Sequence, residues 1–317
     1  MTRIKPYIIS VIFLLLFQCC EEVKNISPER LDSPSTGQPY FTENVVIVVI
    51  DGPRYSETWG DPSKQFIPNQ FHLLGPQGIQ HAHFYNNGPT YTSSGHTSIT
   101  TGKYQIMDNS GDEFPKSPSI FQLWLNESKS SPEKAQIITS KEKLHILGDC
   151  SDLKWRGKFN PKVNAIGRSD TETFEAAIKA FEEDQPNLVL LHFKGPDYYG
   201  HHNNWEEYLN SIKLADQLVY QVWEYLQHHP AYTNKTTLLI TNDHGRHLDH
   251  IKDGFISHGD YCEGCRHISL FAMGPDFNSD RIETQQSELI DIAPTVADLL
   301  GFPLPDSNGR IMTNLYK

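Results

Sequence analysis

The chain has 317 residues, a formal net charge of −12 and 38% hydrophobic residues. An acidic surface repels polyanions, which disfavours nucleic acid as a standing partner. Beyond residue 20 no segment is long and apolar enough to span a bilayer as a helix.

The chain opens with Arg3 and Lys5 ahead of a short apolar run, Ile8 to Phe17, that stops at Cys19 and Cys20 and is followed by Glu21-Glu22. That is the layout of a processed export signal, and Leu16-Phe17-Gln18-Cys19 has the Leu-x-x-Cys shape of a bacterial lipoprotein cleavage site. Residues 1–19 are therefore expected to be a lipoprotein signal peptide. Cys20 is the preferred lipidated residue and Cys19 the alternative; an ordinary secretory signal is the competing reading. Residues 20–41 are rich in Ser, Pro, Glu and Thr and read as a flexible tether. Residues 42–317 are then one domain, exported and held by a lipid anchor at the periplasmic face or outer surface of the cell envelope. About 275 residues is a normal size for a single α/β enzyme domain.

Strand-like runs follow in order. Val45–Ile50 is a continuous β-branched run, as expected for a strand buried on both faces, and Ala135–Thr139, Leu188–Phe193, Thr236–Thr241 and Ile268–Met273 resemble it. Helical patterns lie between them at Thr171–Glu183, at Trp205–Leu226 and at Ser287–Leu300. In the second, Trp205, Tyr208, Leu209, Ile212, Ala215, Val219, Val222 and Leu226 fall near helical spacing. Gly301 and Pro303 close the third. Alternation of this kind predicts a single α/β domain with a mainly parallel central sheet and helices on both faces.

Chemistry-bearing residues punctuate this pattern. Asp51 ends the first strand, Asp197 and His201 follow Leu188–Phe193 in Pro-Asp-Tyr-Tyr-Gly-His, Asp243 and His244 follow Thr236–Thr241 in Asn-Asp-His-Gly, and His258 lies in Ser-His-Gly-Asp. In an open α/β sheet the carboxyl ends of parallel strands form the binding crevice, so the three aspartates are expected to converge. Asp and His together suit a borderline cation such as zinc, and the four-residue spacing of Asp197 and His201 with Gly200 inside is expected to turn both toward one ion from a tight loop. Any one pair is also a good turn sequence; their joint occurrence at strand ends points to a metal centre. A hydroxyl beside such a centre can be activated as a nucleophile. The segment Pro89–Thr101 offers Thr92, Ser93 and Ser94; Thr92 or Ser94 is equally able to cap a helix starting near His96, whose N-terminus would favour an anionic substrate. Cys262-Glu-Gly-Cys265 is a lone Cys-x-x-Cys, weak as a zinc site and better read as a local disulfide or two buried thiols; Cys150 completes the set.

Together these motifs resemble the alkaline phosphatase superfamily, and within it the nucleotide pyrophosphatase/phosphodiesterase branch. The resemblance runs from about Asn44 to Met312. It rests on Thr92…His96…Thr101-Gly102, on Asp197-x-x-Gly-His201, on Asp243-His244-Gly245, on His258-Gly259 and on the tail Ile290 to Gly301. It implies an alkaline phosphatase-like catalytic domain over residues 42–317. It implies two Zn²⁺, with other divalent metals as substitutes: one held by Asp197, His201 and His258, the other by Asp51, Asp243 and His244, with Thr92 as nucleophile at the latter. Asn109 would bind a nonbridging oxygen. Thr92 would attack phosphorus, and water would then hydrolyse the phosphothreonine. The implied substrate is a small-molecule, lipid or glycan phosphoester, a diester first and a monoester second. A phosphonate or sulfate ester hydrolase, or a non-catalytic surface binding protein that keeps the metals, are the alternatives. Typical sulfatases carry Cys-x-Pro-x-Arg, which is missing here. The chain also has Ser93-Ser94-Gly95 where the branch has Phe-Pro-Asn, a smaller link expected to be more flexible.

Overall fold

The computed structural model describes residues 40–317. The signal sequence, Cys19, Cys20 and nearly all of the tether lie outside the described residues. Tyr40 and Phe41 are docked at the domain edge, where the Tyr40 hydroxyl donates to Asp298 at 2.7 Å and the Phe41 N–H to Asp276 at 2.9 Å.

The elements in chain order are β1 (Asn44–Ile50), β2 (Ile79–Tyr85), α1 (Thr92–Thr101), α2 (Ile120–Ser128), β3 (Ala135–Thr139), β4 (Lys162–Ala165), α3 (Asp170–Glu183), β5 (Leu188–Phe193), α4 (Gly195–His201), α5 (Trp205–His228), β6 (Thr236–Thr241), α6 (Glu263–Arg266), β7 (His267–Met273), β8 (Arg281–Glu283), β9 (Ser287–Glu288) and α7 (Ile292–Leu299). They build one nine-stranded sheet in the order β4-β3-β5-β1-β6-β7-β2-β8, with β9 also on β2. The pairs from β4 to β6 are parallel; β7 runs antiparallel to both β6 and β2.

The alternation along β1 shows why a continuous apolar run is needed at the sheet centre. Val45, Ile47 and Val49 enter a core with Ile99 of α1, Phe121 of α2 and Val296 of α7. Val46, Val48 and Ile50 enter the opposite core with Phe181 of α3 and Ile212 and Val219 of α5. Both faces are covered, as the sequence predicts. Helix α3 starts at a capping box in which Ser169 and Glu172 satisfy each other's backbone N–H groups.

Two expectations are corrected. The helix expected over Ser287–Leu300 is instead strand β9, a short 3₁₀ turn at Leu289–Asp291, and α7. The Asp291 carboxylate accepts the N–H of Glu288 and of Arg310, which fixes the turn and lets the preceding residues pair with β2. Asp197 and His201 do not sit in a tight loop: they stand one turn apart on α4. Strand β2 was not expected, because His81 and His83 interrupt its apolar residues and its register shifts between His81 and Phe84.

Candidate active site

The carboxyl ends of β1, β5 and β6 deliver Asp51, the α4 pair Asp197 and His201, and Asp243 with His244 to one crevice. Asn242 ties these ends together, donating to the Ile50 carbonyl and accepting from Ser269 of β7. Gly52 has a left-handed φ of 68°, and a Cβ there would lie 3.1 Å from Asp197; only glycine lets the turn after Asp51 pass so close.

Asp51, Asp243 and His244 form the tightest cluster. Asp51 Oδ2 accepts from His192 Nε2 at 2.8 Å and meets Lys141 Nζ at 2.6 Å. Asp243 Oδ1 accepts the N–H of His244 and of Gly52. Nδ1 of His244 donates to the Gly245 carbonyl at 2.9 Å. One atom of each residue is left over. Asp51 Oδ1, Asp243 Oδ2 and His244 Nε2 are buried, have no hydrogen-bond partner among the described residues, and lie within 4.8 Å of one another. Leaving three buried acceptors unpaired is costly, and a divalent cation satisfies all three together. Burial pushes the His244 imidazole down to about 4 against the pull of Asp243, so it is neutral with its Nε2 lone pair free. His192 is likewise held neutral by burial, down to about 4, and orients Asp51 from behind.

Asp197, His201 and His258 meet beside this cluster. Asp197 Oδ1 lies 3.2 Å from His201 Nε2 and 3.3 Å from His258 Nε2, and the two imidazole nitrogens are 3.1 Å apart. His258 is oriented by its Nδ1 on the Thr90 carbonyl at 2.7 Å, and its ring stacks on His244 at 3.7 Å. The same Asp197 oxygen also accepts from the buried Arg246 guanidinium. A cation held here would share that oxygen with an arginine, whereas at Asp51 the competing Lys141 ammonium sits on Oδ2 and leaves Oδ1 free.

Thr92 is buried at the first position of α1, with Tyr91 as the N-cap and no side-chain cap. The helix thus begins four residues before the expected start at His96, and neither Thr92 nor Ser94 caps it. Ser93-Ser94-Gly95 is not a flexible link but a buried helical turn: a Cβ at Gly95 would come within 2.5 Å of the Asp243 carbonyl, so glycine lets α1 press against the Asp-His-Gly segment. Asn109 Oδ1 accepts the Ser93 N–H and the Lys143 ammonium, both at 3.0 Å, which leaves its Nδ2 hydrogens to donate.

Lys141, Arg246 and His192 were missed by sequence reasoning. Lys141 stands two residues past β3, its ammonium 2.6 Å from both Asp51 and Asp197 and 3.4 Å from Thr92 Oγ1. Burial is the largest single influence and opposes ionisation of the two aspartates, but Lys141 acting together with His192 at Asp51, and with His201, His258 and Arg246 at Asp197, holds both far below the usual carboxylate range. Burial also disfavours the ammonium, yet Asp197 and Asp51 raise Lys141 well above an ordinary lysine. The signals were present: the strand-end rule that selects the aspartates applies equally to β3, and His192 is an imidazole inside the apolar run Leu188–Phe193.

Comparisons with known proteins agree with this picture of the fold. Residues 160–304 match the model of the Metalloenzyme superfamily. The chain is 24% identical to GPI ethanolamine phosphate transferase 2 of Schizosaccharomyces pombe over 97% of its own length and 43% of that protein. It is 22% identical to the catalytic subunit of murine GPI ethanolamine phosphate transferase 3 over 88% of its length and 26% of that protein. It thus spans less than half the length of these relatives. Among solved structures, alkaline phosphatase PafA, as a variant substituted at a threonine, an asparagine, a lysine and an arginine, superposes with a TM-score of 0.67 at 13% identity, covering 87% of this chain and 99% of that one. Murine ectonucleotide pyrophosphatase/phosphodiesterase 5, as an inactive threonine-to-alanine variant in complex with AMP, gives 0.62 at 16% identity, covering 87% and 100%. An alkaline phosphatase superfamily protein of Vibrio parahaemolyticus gives 0.64 at 18% identity, covering 86% and 70%.

Proposed function

We propose that this chain, whose residues 160–304 match the Metalloenzyme superfamily model and whose fold is that of alkaline phosphatase superfamily structures, is a zinc-dependent enzyme that cleaves phosphoesters, diesters first, through Thr92. The observation that carries this reading is the placement of Thr92 Oγ1 at a helix N-terminus, 3.4 Å from the Lys141 ammonium, which also meets Asp51 of the cluster with three orphaned acceptors.

Asp51, Asp243 and His244 would hold one divalent cation and Asp197, His201 and His258 the other; bound there, cations lower the pKa of a hydroxyl and neutralise developing oxyanions. The chain's own residues do the rest. The α1 N-terminus presents backbone N–H groups and a positive dipole end to the phosphoryl oxygens. Lys141 stays an ammonium, so it stabilises negative charge at the Thr92 oxygen and on the transferring group and does not act as a base. Thr92 displaces the leaving group, and an acceptor then takes the phosphoryl group from the threonine.

The acceptor is water in the first reading. Similarity to ethanolamine phosphate transferases over 97% of the chain favours a second, in which an alcohol competes with water. The deciding experiment supplies zinc-loaded full chain with p-nitrophenyl diesters, monoesters, phosphonates and sulfates, with and without a primary alcohol. Diester turnover above monoester turnover, with sulfate inert, is expected. Phosphorylated alcohol forming at the expense of inorganic product selects transfer. Metal bound with no turnover of any ester overturns the enzyme reading in favour of a binding protein.

Asn109→Ala is expected to lower turnover about a hundred- to thousandfold, the usual loss for one hydrogen bond to a charged transition state, without lowering metal content. An unchanged rate would make Asn109 a cap for Ser93 and nothing more. Export and anchoring through Cys20 or Cys19 remain part of the proposal. The wild type should incorporate an alkyne fatty acid and pellet with membranes, and the double serine variant should do neither; an unlabelled, soluble wild type would leave only a secretory signal.

A further inference from the structure

A second group of ligand-type side chains lies outside the Thr92 site. His247, Asp260, Cys262 and Cys265 each offer one ligand atom, and the four atoms lie within 4.8 Å of one another. We infer that these four residues bind a structural zinc ion.

The local chemistry supports this residue by residue. The Cys262 and Cys265 thiols are free, so the disulfide considered for Cys-x-x-Cys is not formed. Cys262 is the N-cap of the single turn of α6 and Cys265 lies within it; the N–H groups of Cys265 and Arg266 both donate to the Cys262 carbonyl. His247 is 1% exposed. Its Nδ1 faces Asp253 Oδ1 at 3.1 Å and Ser257 Oγ at 3.2 Å. A proton on Nδ1, donated to the Asp253 carboxylate, leaves the lone pair on Nε2. That nitrogen makes no hydrogen bond among the described residues and lies 3.2 Å from Asp260 Oδ2, inside the cluster. A carboxylate fixing the far nitrogen of an imidazole is the usual support of a metal-bound histidine. Asp260 Oδ1 is occupied by the Cys262 N–H at 2.9 Å, which turns Oδ2 inward.

The donor set selects the ion. Two thiolates favour zinc over calcium or magnesium. Zinc–sulfur bonds of about 2.3 Å and zinc–nitrogen bonds of about 2.0–2.1 Å place tetrahedral ligand atoms roughly 3.3–3.8 Å apart, so a cluster bounded by 4.8 Å closes on the ion with small side-chain movements. Two thiolates and one carboxylate leave one negative charge beyond the ion. Lys252, with its ammonium 2.6 Å from Asp260 Oδ2, offsets it.

Position gives the site its use. Gly245 N–H donates to the Cys265 carbonyl at 2.8 Å and His247 N–H to the Ser257 carbonyl at 3.1 Å. The ion would pin the segment after Asp243-His244 to the segment carrying His258, two residues before Asp260. It shares no ligand with the Thr92 centre, so it stands or falls independently of phosphoryl transfer.

The test uses the full chain with Cys19 and Cys20 replaced by serine, so that no other adjacent thiols compete, purified reduced and titrated with cobalt(II). A thiolate-to-cobalt charge-transfer band in the near ultraviolet is expected, and at saturating cobalt its intensity should be that of a single two-thiolate site, since the Thr92 centre takes up cobalt without a thiol. Adding Cys262→Ser and Cys265→Ser should remove the band and one equivalent of metal. If that variant fails to fold, thiol reactivity of the parent decides: zinc should protect two thiols and a chelator should release them. A reduced protein with no band and both thiols reactive in excess zinc overturns the inference. So does a Cys262–Cys265 disulfide that, once reduced, takes up no cobalt.

Discussion

Replacing Thr92 with alanine is expected to cut turnover by a factor on the order of 10⁶, the loss seen when a hydrolase loses its nucleophile. Bound metal should not change, because the six proposed ligands Asp51, Asp197, His201, Asp243, His244 and His258 all remain. Folding should survive as well. Thr92 is the first residue of α1, its hydroxyl caps nothing, and alanine is the better helix former. A loss of activity without loss of metal or helix therefore reads the hydroxyl itself. Thr92→Ser, which keeps a hydroxyl at that position, should retain turnover. The competitor is Ser93, whose Oγ is buried with no hydrogen-bond partner among the described residues. Ser94 is a poorer rival, because its Oγ accepts the Met107 N–H at 3.1 Å. If Thr92→Ala turns over normally while Ser93→Ala is dead, the nucleophile has been placed one residue too early.

Much of the fold was legible because its signals are local. Ala135–Thr139, Leu188–Phe193 and Thr236–Thr241 occupy the spans read from sequence, since an apolar β-branched run buried on both faces has few other homes. What was not legible depends on tertiary partners. Strand β2 carries two histidines and pairs antiparallel with β7, so neither hydropathy nor connection length marks it. The 3₁₀ turn before α7 exists because Asp291 finds the Arg310 N–H nineteen residues away. At the candidate site, the short motifs gave the acidic and imidazole residues, which have distinctive spacings. They gave nothing of the cations that hold them. Lys141 and Arg246 are ordinary basic residues in sequence, and only the approach of β3 to β5, and of Asp197 to the segment after β6, shows that they share the same carboxylate. The surroundings of the Cys-x-x-Cys are hidden in sequence for the same reason. Its other two ligand-type neighbours, His247 and Asp260, come from a loop that folds back over α6.

Lys141→Met is expected to damage both stability and turnover, through one interaction. The Lys141 side chain is 16% exposed, and its ammonium bridges Asp51 and Asp197 at 2.6 Å each. Methionine keeps the stem and removes the charge, leaving two buried carboxylates without their common counter-ion. Breaking a buried pair from one side costs about 3–5 kcal/mol, so chelator-treated variant should unfold at clearly lower denaturant than chelator-treated wild type, with an unchanged slope. The sign of the pH dependence follows from the shifts. Both carboxylates are depressed, so their contribution is present above the unfolded carboxylate pKa of about 4 and is lost as pH falls toward the folded values. Lys141 is raised, so its contribution is present below about 10.4 and is lost as pH rises through the folded value. The gap between wild type and variant should therefore be widest between about pH 4 and pH 10 and should close on acidification. Zinc should narrow it, because a cation at the Asp51 cluster neutralises one of the same carboxylates. Turnover at saturating zinc should still fall about a hundred- to thousandfold, the cost of removing one charged donor from a developing oxyanion. Stability and rate that both match wild type, with and without zinc, would reduce Lys141 to a lysine that happens to lie near the crevice.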